Sequence, residues 1–271
     1  MAYRIPLHLG ALSAVALLMA GCASPEDTGA EPDTSQNDGP AVVATTTWQA
    51  AFARAAGAQD VTVIVPVSVQ HAPDYDPKPS DLTAVAGADF VLYSPFESFA
   101  SEITEAAGAE AETVEVDADN SPDVVAAEVE RLGELFDTSE AAQGWLGAFE
   151  TAREEIASEL REEWPGDSAP TAVSQVYTAW AAELAGAEVV QTYGPEQLTP
   201  DDVATLRDAE PEFVFDNVHM STGPVLPDSE AVQIDVVNYP SEGMDLIGLY
   251  QQNATLIAAA FNGEGSAGSG S

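Results

Sequence analysis

Cysteine, histidine and positive charge are all scarce in this chain. Of its 271 residues, one is cysteine, three are histidine and seven are lysine or arginine, against 46 aspartates and glutamates. A single thiol, Cys22, leaves no partner for an internal disulfide, so packing must hold the body together. The formal charge of -39 argues against a nucleic-acid binder, because such a surface repels phosphates and no basic patch with interleaved aromatics interrupts it. Enzyme signatures are missing as well: there is no HExxH, no glycine-rich phosphate loop, no GxSxG and no cysteine nucleophile in the body. Binding rather than catalysis is the expected activity, without a catalytic cofactor. A solvated acidic face, screened in a saline or cation-rich setting, accounts for the charge without any metal.

The ends are distinctive. Arg4 to Ala20 is a short basic start followed by an apolar run, and LLMAGC sets Cys22 directly after small residues. That is the pattern of a lipoprotein export signal cleaved before Cys22, which would then carry lipid. Met19 stands where this motif usually has leucine. The run falls short of the roughly 20 residues that a membrane-spanning helix needs. Residues 1–21 are therefore expected to be the signal, and the Ser, Thr, Pro, Gly and acid-rich stretch 22–40 a tether. Residues 262–271 read as a flexible tail.

Between these ends lie about 220 residues, enough for a large core or two lobes. AVVATTTWQAAFARAAGA passes from a β-prone run into an alanine-rich helix, DVTVIVPVS is a second strand, and DLTAVAGADFVLYS is a helix followed by a strand. With ETVEV this makes a first α/β lobe over 41–121. Apolar residues at helical spacing from Val124 to Leu160 predict a long helical connector over 122–166, ended by Pro165 and Gly166. TAVSQVY, EVVQTY, EFVFDN and AVQIDVV are the strands of a second α/β lobe over 167–261, which closes with a helix. Asp81 is expected to cap a helix starting near Leu82, and Thr199 to cap one with Pro200 at its first position. The fold class is α/β: two lobes with parallel sheets and a ligand site at their mutual cleft.

His71 follows the strand Val61–Val67 in a loop stiffened by Pro73, Pro77 and Pro79, which suits an imidazole ligand to a borderline metal. In the second lobe FVFDNVHMSTG puts Asp216, Asn217 and His219 just past a strand end, where open α/β sheets bind ligands. Asp235 lies in or at the end of the next strand. A carboxylate buried there is costly unless paired, and a cation would remove that cost. His71, His219, Asp216 and Asp235 could together form a four-ligand set for Zn, or for Mn if waters or further oxygens join. Otherwise Asp216 caps the following turn, Asp235 is hydrogen-bonded at a strand end, and His71 is a loop residue without a role.

At these residues the chain resembles the zinc and manganese solute-binding lipoproteins of ABC importers, in which a rigid helix joins two lobes. The resemblance runs from Val42 to the closing helix and is strongest at VVATTTWQAAFARAAGA, at HAPDYDPKPSDLTAVAGADFVLY and in the last helix with Tyr250 and Asn253. It implies that His71 is the first metal ligand, that Glu97 matches an acidic residue after an aliphatic strand, and that Asp216 or Asn217 and then Asp235 match later carboxylates. It also implies Zn or Mn as transported ligand, an ABC permease as partner, a monomer anchored through Cys22 on the extracytoplasmic face, and modest closure of the lobes. Two departures stand out. The histidine expected near the start of the connector is missing from VEVDADNSPD, where Asp117, Asp119 or Asn120 could substitute, and Gln175 occupies the position of a third histidine. Three readings follow: a metal receptor; a receptor of the same fold for another small or chelated solute, with Gln175, Asn217, Tyr193 and Trp180 lining the cleft; and a surface adhesion or accessory lipoprotein without ligand.

Overall fold

The computed structural model describes residues 39–69 and 72–264. The expected signal and most of the tether, the end of the tail, and His71 itself lie outside the described residues.

The first lobe is built from β1 (Ala41–Ala44), α1 (Thr47–Ala55), β2 (Asp60–Val63), α2 (Pro79–Ala86), β3 (Phe90–Tyr93), α3 (Ala100–Ala107) and β4 (Glu112–Glu115). Its four strands are parallel, in the order β2-β1-β3-β4. The connector comprises α4 (Pro122–Leu135) and α5 (Ser139–Glu162). The second lobe holds β5 (Thr171–Gln175), α6 (Ala179–Leu184), β6 (Glu188–Tyr193), α7 (Pro200–Asp208), β7 (Phe213–Asn217), β8 (Val232–Val236) and α8 (Leu246–Phe261). Its parallel order, β6-β5-β7-β8, repeats that of the first lobe.

Sequence pattern decides which strands are central. All of Phe213–Asn217 is buried, as are the last three residues of β1, because helices cover both faces there. The edge strands β2 and β6 alternate between less and more exposed positions. Thr199 caps α7 as expected, accepting from the Asp202 N–H. Asp81 does not cap α2 as expected: the helix begins earlier, at Pro79, so Asp81 falls in its first turn and accepts from the Lys78 N–H at 2.8 Å. Proline at the first helical position has no N–H to leave unpaired, which moves the start upstream.

The 24 residues of α5 span about 36 Å. It packs on α1 in one lobe and on α6 and α8 in the other. Gly133 of α4 lets α5 come close, since a Cβ on it would stand 2.5 Å from the Ala142 Cβ. One buried cluster therefore runs without interruption from Val42 and Phe52 through Leu132, Phe149 and Leu160 to Trp180 and Phe261. Within it Trp145 stacks on Phe149, Phe149 meets Tyr250 edge-on, and Tyr250 lies against Trp180, each pair with centroids 4.8–5.0 Å apart. The lobes are thus two sheets on a shared core, wedged by the connector. Among the described residues no helix is long and apolar enough to cross a membrane.

Candidate functional site

In each sheet the chain leaves the first strand for one neighbour and then returns to the other side, so the topological switch points lie at β1/β3 and β5/β7. Ligands of open α/β sheets bind at such points, beyond the carboxyl ends of the strands. Segments after β1, β2, β7 and β8 do line a cavity of about 450 Å³, with Thr46, Val65, Val69, His219, Val237 and Tyr239 in its walls. A second cavity, of about 400 Å³, shares Ala72, His219 and Tyr239 with it and adds Trp48, Phe96, Tyr177 and Asn217. Together they form an interlobe cleft with aromatic walls. Phe96 and Tyr177 are half exposed at its rim.

His219 is the imidazole of this cleft. The Tyr239 N–H donates to its Nε2 at 3.2 Å, and the two rings meet edge-on at 4.6 Å. The backbone N–H of His219 donates to Asn217 Oδ1 at 3.1 Å. Burial lowers the imidazole pKa to about 4, so the ring is neutral near pH 7. A neutral ring that accepts at Nε2 carries its proton on Nδ1. A metal ion taking Nε2 would displace the Tyr239 N–H, and one taking Nδ1 would require the other tautomer.

Beneath the cleft lies a knot of amides and indoles. Trp48, on α1, donates its indole N–H to Asn120 Oδ1 at 2.7 Å. Trp180, on α6, donates to Asn238 Oδ1 at 3.0 Å. Asn120 Nδ2 donates to the Asn238 carbonyl at 3.1 Å, and Asn238 Nδ2 to the Tyr177 carbonyl at 3.1 Å. The Tyr250 hydroxyl donates to the Asn120 carbonyl, and the Asn253 side chain holds both the N–H and the C=O of Val237 at 2.9 Å. Asn120, one of three residues that could stand in for the missing histidine, thus joins one lobe to the other. Tyr250 and Asn253 of the last helix hold the chain around this knot.

At the β1/β3 switch point the interior is polar. Glu97 is buried and accepts from Thr45 Oγ1 at 2.9 Å, Gln49 Nε2 at 3.1 Å and the Ser94 N–H at 3.2 Å. Burial raises its pKa to about 7, outweighing the three hydrogen bonds, which act in the opposite sense. Burial and then the Glu97 charge push the neighbouring Tyr239 up to about 12.

The sequence-expected residues fall into three separate places. His219 and Asn217 face the interlobe cavities. Gln175, Tyr193 and Asp216 line a different cavity, of about 370 Å³, between the segment after β6 and the loop after β7. Asp235 is exposed and accepts from Gln233 Nε2 at 2.9 Å. Among the described residues no three His, Cys, Asp or Glu side chains converge as a metal-ligand set, so His219, Asp216 and Asp235 do not meet. The reason is strand alternation: Asp216 and Asp235 are register partners on the sheet face opposite Phe215, Asn217 and Val236. Asp216 does not act as a turn cap; Asn217 does that, through His219 N–H. Trp180 and Glu97 are interior residues, not cleft-lining ones. Sequence reasoning missed Trp48, Asn238 and Tyr239, whose only local signal is a polar or aromatic residue just past a strand end.

The sequence profile of the family described as zinc-uptake complex component A, periplasmic (ZnuA), matches residues 42–160. No curated protein matches the sequence. Solved structures share the fold. The solute-binding protein FpvC from Pseudomonas aeruginosa in complex with Mn2+ superposes with a TM-score of 0.62 at 12% identity, over 82% of this chain and 96% of that one. A Mn-bound periplasmic metal-binding protein from Candidatus Liberibacter asiaticus gives 0.60 at 13%, over 81% and 98%. The laminin-binding protein Lmb of Streptococcus agalactiae, described as bifunctional with adhesin and metal-transporting activity, gives 0.59 at 15%, over 83% and 99%. The profile of the zinc-uptake component thus matches the first lobe and most of the connector, and the fold shared with these metal-binding solute-binding proteins continues through the second lobe.

Proposed function

We propose that the protein is an extracytoplasmic receptor that captures a divalent metal ion, Zn or Mn, in the interlobe cleft and delivers it to an ABC permease. It is a binding protein, not an enzyme, and the metal is its cargo. The reading includes a lipid anchor through Cys22 and a monomeric receptor. The observation that carries it is the position of His219, a neutral imidazole in the wall of cavities that also include Ala72, the residue after His71. His71 and His219 are the nitrogen ligands of this reading, one from each lobe, with water completing the shell. Neutral imidazole suits Zn, and Mn would rely more on the oxygens that complete the shell.

A second reading has one observation in its favour. The cleft walls are aromatic and amide-bearing, and cavities of about 450 and 400 Å³ exceed what a bare ion fills. A chelated ion or another small solute would use that space.

Elemental analysis of protein purified without chelator, together with calorimetric titration of Zn and Mn, tests the proposal. Near-stoichiometric metal, with binding lost in the His71→Ala, His219→Ala double variant, is the expected result. Metal-free protein that gives no binding heat would refute it and favour the second reading.

A further inference from the structure

We propose that the second lobe carries its own small-molecule site, the cavity around Asp216, and that this site takes a small organic ammonium ion with an apolar body. The inference is independent of the metal cargo.

Asp216 is 5% exposed. One carboxylate oxygen, Oδ1, accepts from the Tyr193 hydroxyl at 2.8 Å. The other, Oδ2, is buried and has no hydrogen-bond partner among the described residues. A polar group buried without a partner is costly, and a carboxylate more so than a neutral group. The cavity of about 370 Å³ that this residue lines is of a size that holds a small organic molecule. The polar atoms of the described residues do not answer the free oxygen. Arg207, the nearest cation by sequence to the cavity wall, donates to the Pro227 carbonyl at 3.0 Å, and no ion pair among the described residues involves Asp216.

The chemistry of the walls narrows the ligand. Pro195, Leu198, Val203 and Val225 supply apolar surface, and Glu196 adds a second carboxylate from an exposed position. On a chain of formal charge -39, the local potential draws cations and repels anions. A bare divalent ion is poorly served, since one buried carboxylate, an exposed one at Glu196 and neutral groups fall short of the six to eight oxygens of calcium or a transition-metal set. An ammonium group brings N–H donors and charge to the Asp216 carboxylate, as a charge-assisted hydrogen bond, while an attached hydrocarbon covers the apolar walls. Amines are therefore the class that both halves of the cavity accept.

The test is calorimetric or NMR-detected titration of cyclohexylammonium, with neutral cyclohexanol as the shape-matched control, in 150 mM salt to screen the surface field. Wild type, Asp216→Asn and Thr222→Trp are compared; Thr222 is an exposed wall residue, so its enlargement narrows the cavity with little risk to folding. The proposal expects saturable binding of the amine, weakened tenfold or more in both variants, and at least tenfold weaker binding of the alcohol. Equal affinity of wild type and both variants would overturn it and assign the amine to the acidic surface at large. Equal affinity for amine and alcohol would overturn it too, leaving only an apolar hole. The His71→Ala, His219→Ala variant separates the two proposals: it is expected to keep full amine binding whether or not it binds metal.

Discussion

Replacing Asn238 by alanine should destabilise the protein far more than the loss of one polar side chain from a cleft would suggest. The side chain accepts from Trp180 Nε1 at 3.0 Å and donates to the Tyr177 carbonyl at 3.1 Å. Trp180 is 4% exposed, so its indole N–H would be left buried without an acceptor, at a cost of about 1–3 kcal/mol. Tyr177 is half exposed and its carbonyl can turn to water, so that bond contributes only about 0.5–1.5 kcal/mol. Asn120 keeps its bond to the Asn238 backbone carbonyl and adds little. The sum is a loss of about 1.5–4.5 kcal/mol, to be read by urea unfolding with the slope checked for an unchanged transition. Trp180→Phe removes the donor itself. In the double variant the orphaned group no longer exists, so the two losses should fall short of additivity by about 1–2 kcal/mol. A single-variant loss below about 0.5 kcal/mol, or strict additivity, would refute the view that the Asn238 side chain secures the buried Trp180 indole.

Two other perturbations test the interior. Glu97 binds a proton with a pKa of about 7 in the fold against an ordinary 4.5, so between those values the folded chain holds a proton that the unfolded chain has released. Stability attributable to it is present below about pH 4.5 and falls as pH rises to about 7, by no more than about 3 kcal/mol. Urea unfolding across pH 4.5–8 should show Glu97→Gln gaining on wild type over this window, the other carboxylates cancelling in the difference; a flat difference curve would count against the assignment. Gly133→Ala should destabilise by about 1–3 kcal/mol despite the better helix propensity of alanine, because the new Cβ meets Ala142 at 2.5 Å. Recovery in the Gly133→Ala, Ala142→Gly pair would locate the cost at the α4–α5 contact, whereas a Gly133→Ala variant as stable as wild type would show that the helices part freely.

Most elements of the fold are legible in the residues because their causes are local. A run such as FVFDN between turn signals makes a strand wherever it sits, and Thr199 followed by Pro200 opens a helix with no help from distant chain. Strand–helix alternation then leads to parallel sheets, and apolar spacing from Val124 to Leu160 to the connector. Where the causes stop being local, the reading stops too. Asp216 and Asn217 are neighbours in sequence, yet the pleat turns one toward a cavity of its own and the other toward the cleft. Asp235 and His219 both end or follow strands, which groups them in sequence; in the fold the Asp235 side chain leaves on the other face and bonds Gln233.

Charge, cysteine count and periodicity act through composition and near neighbours, so an acidic, disulfide-free α/β chain of two lobes and a helical connector follows from the residues alone. What the polar side chains do depends instead on contacts between distant parts of the chain. Trp48 and Asn120 are 72 residues apart, and Asn120 and Asn238 are 118 apart. Asparagine and tryptophan carry no pattern that names their partner. Their bonds exist because the two sheets close on a single core, which brings the ends of strands from opposite lobes within hydrogen-bonding distance and removes the water that would otherwise serve them.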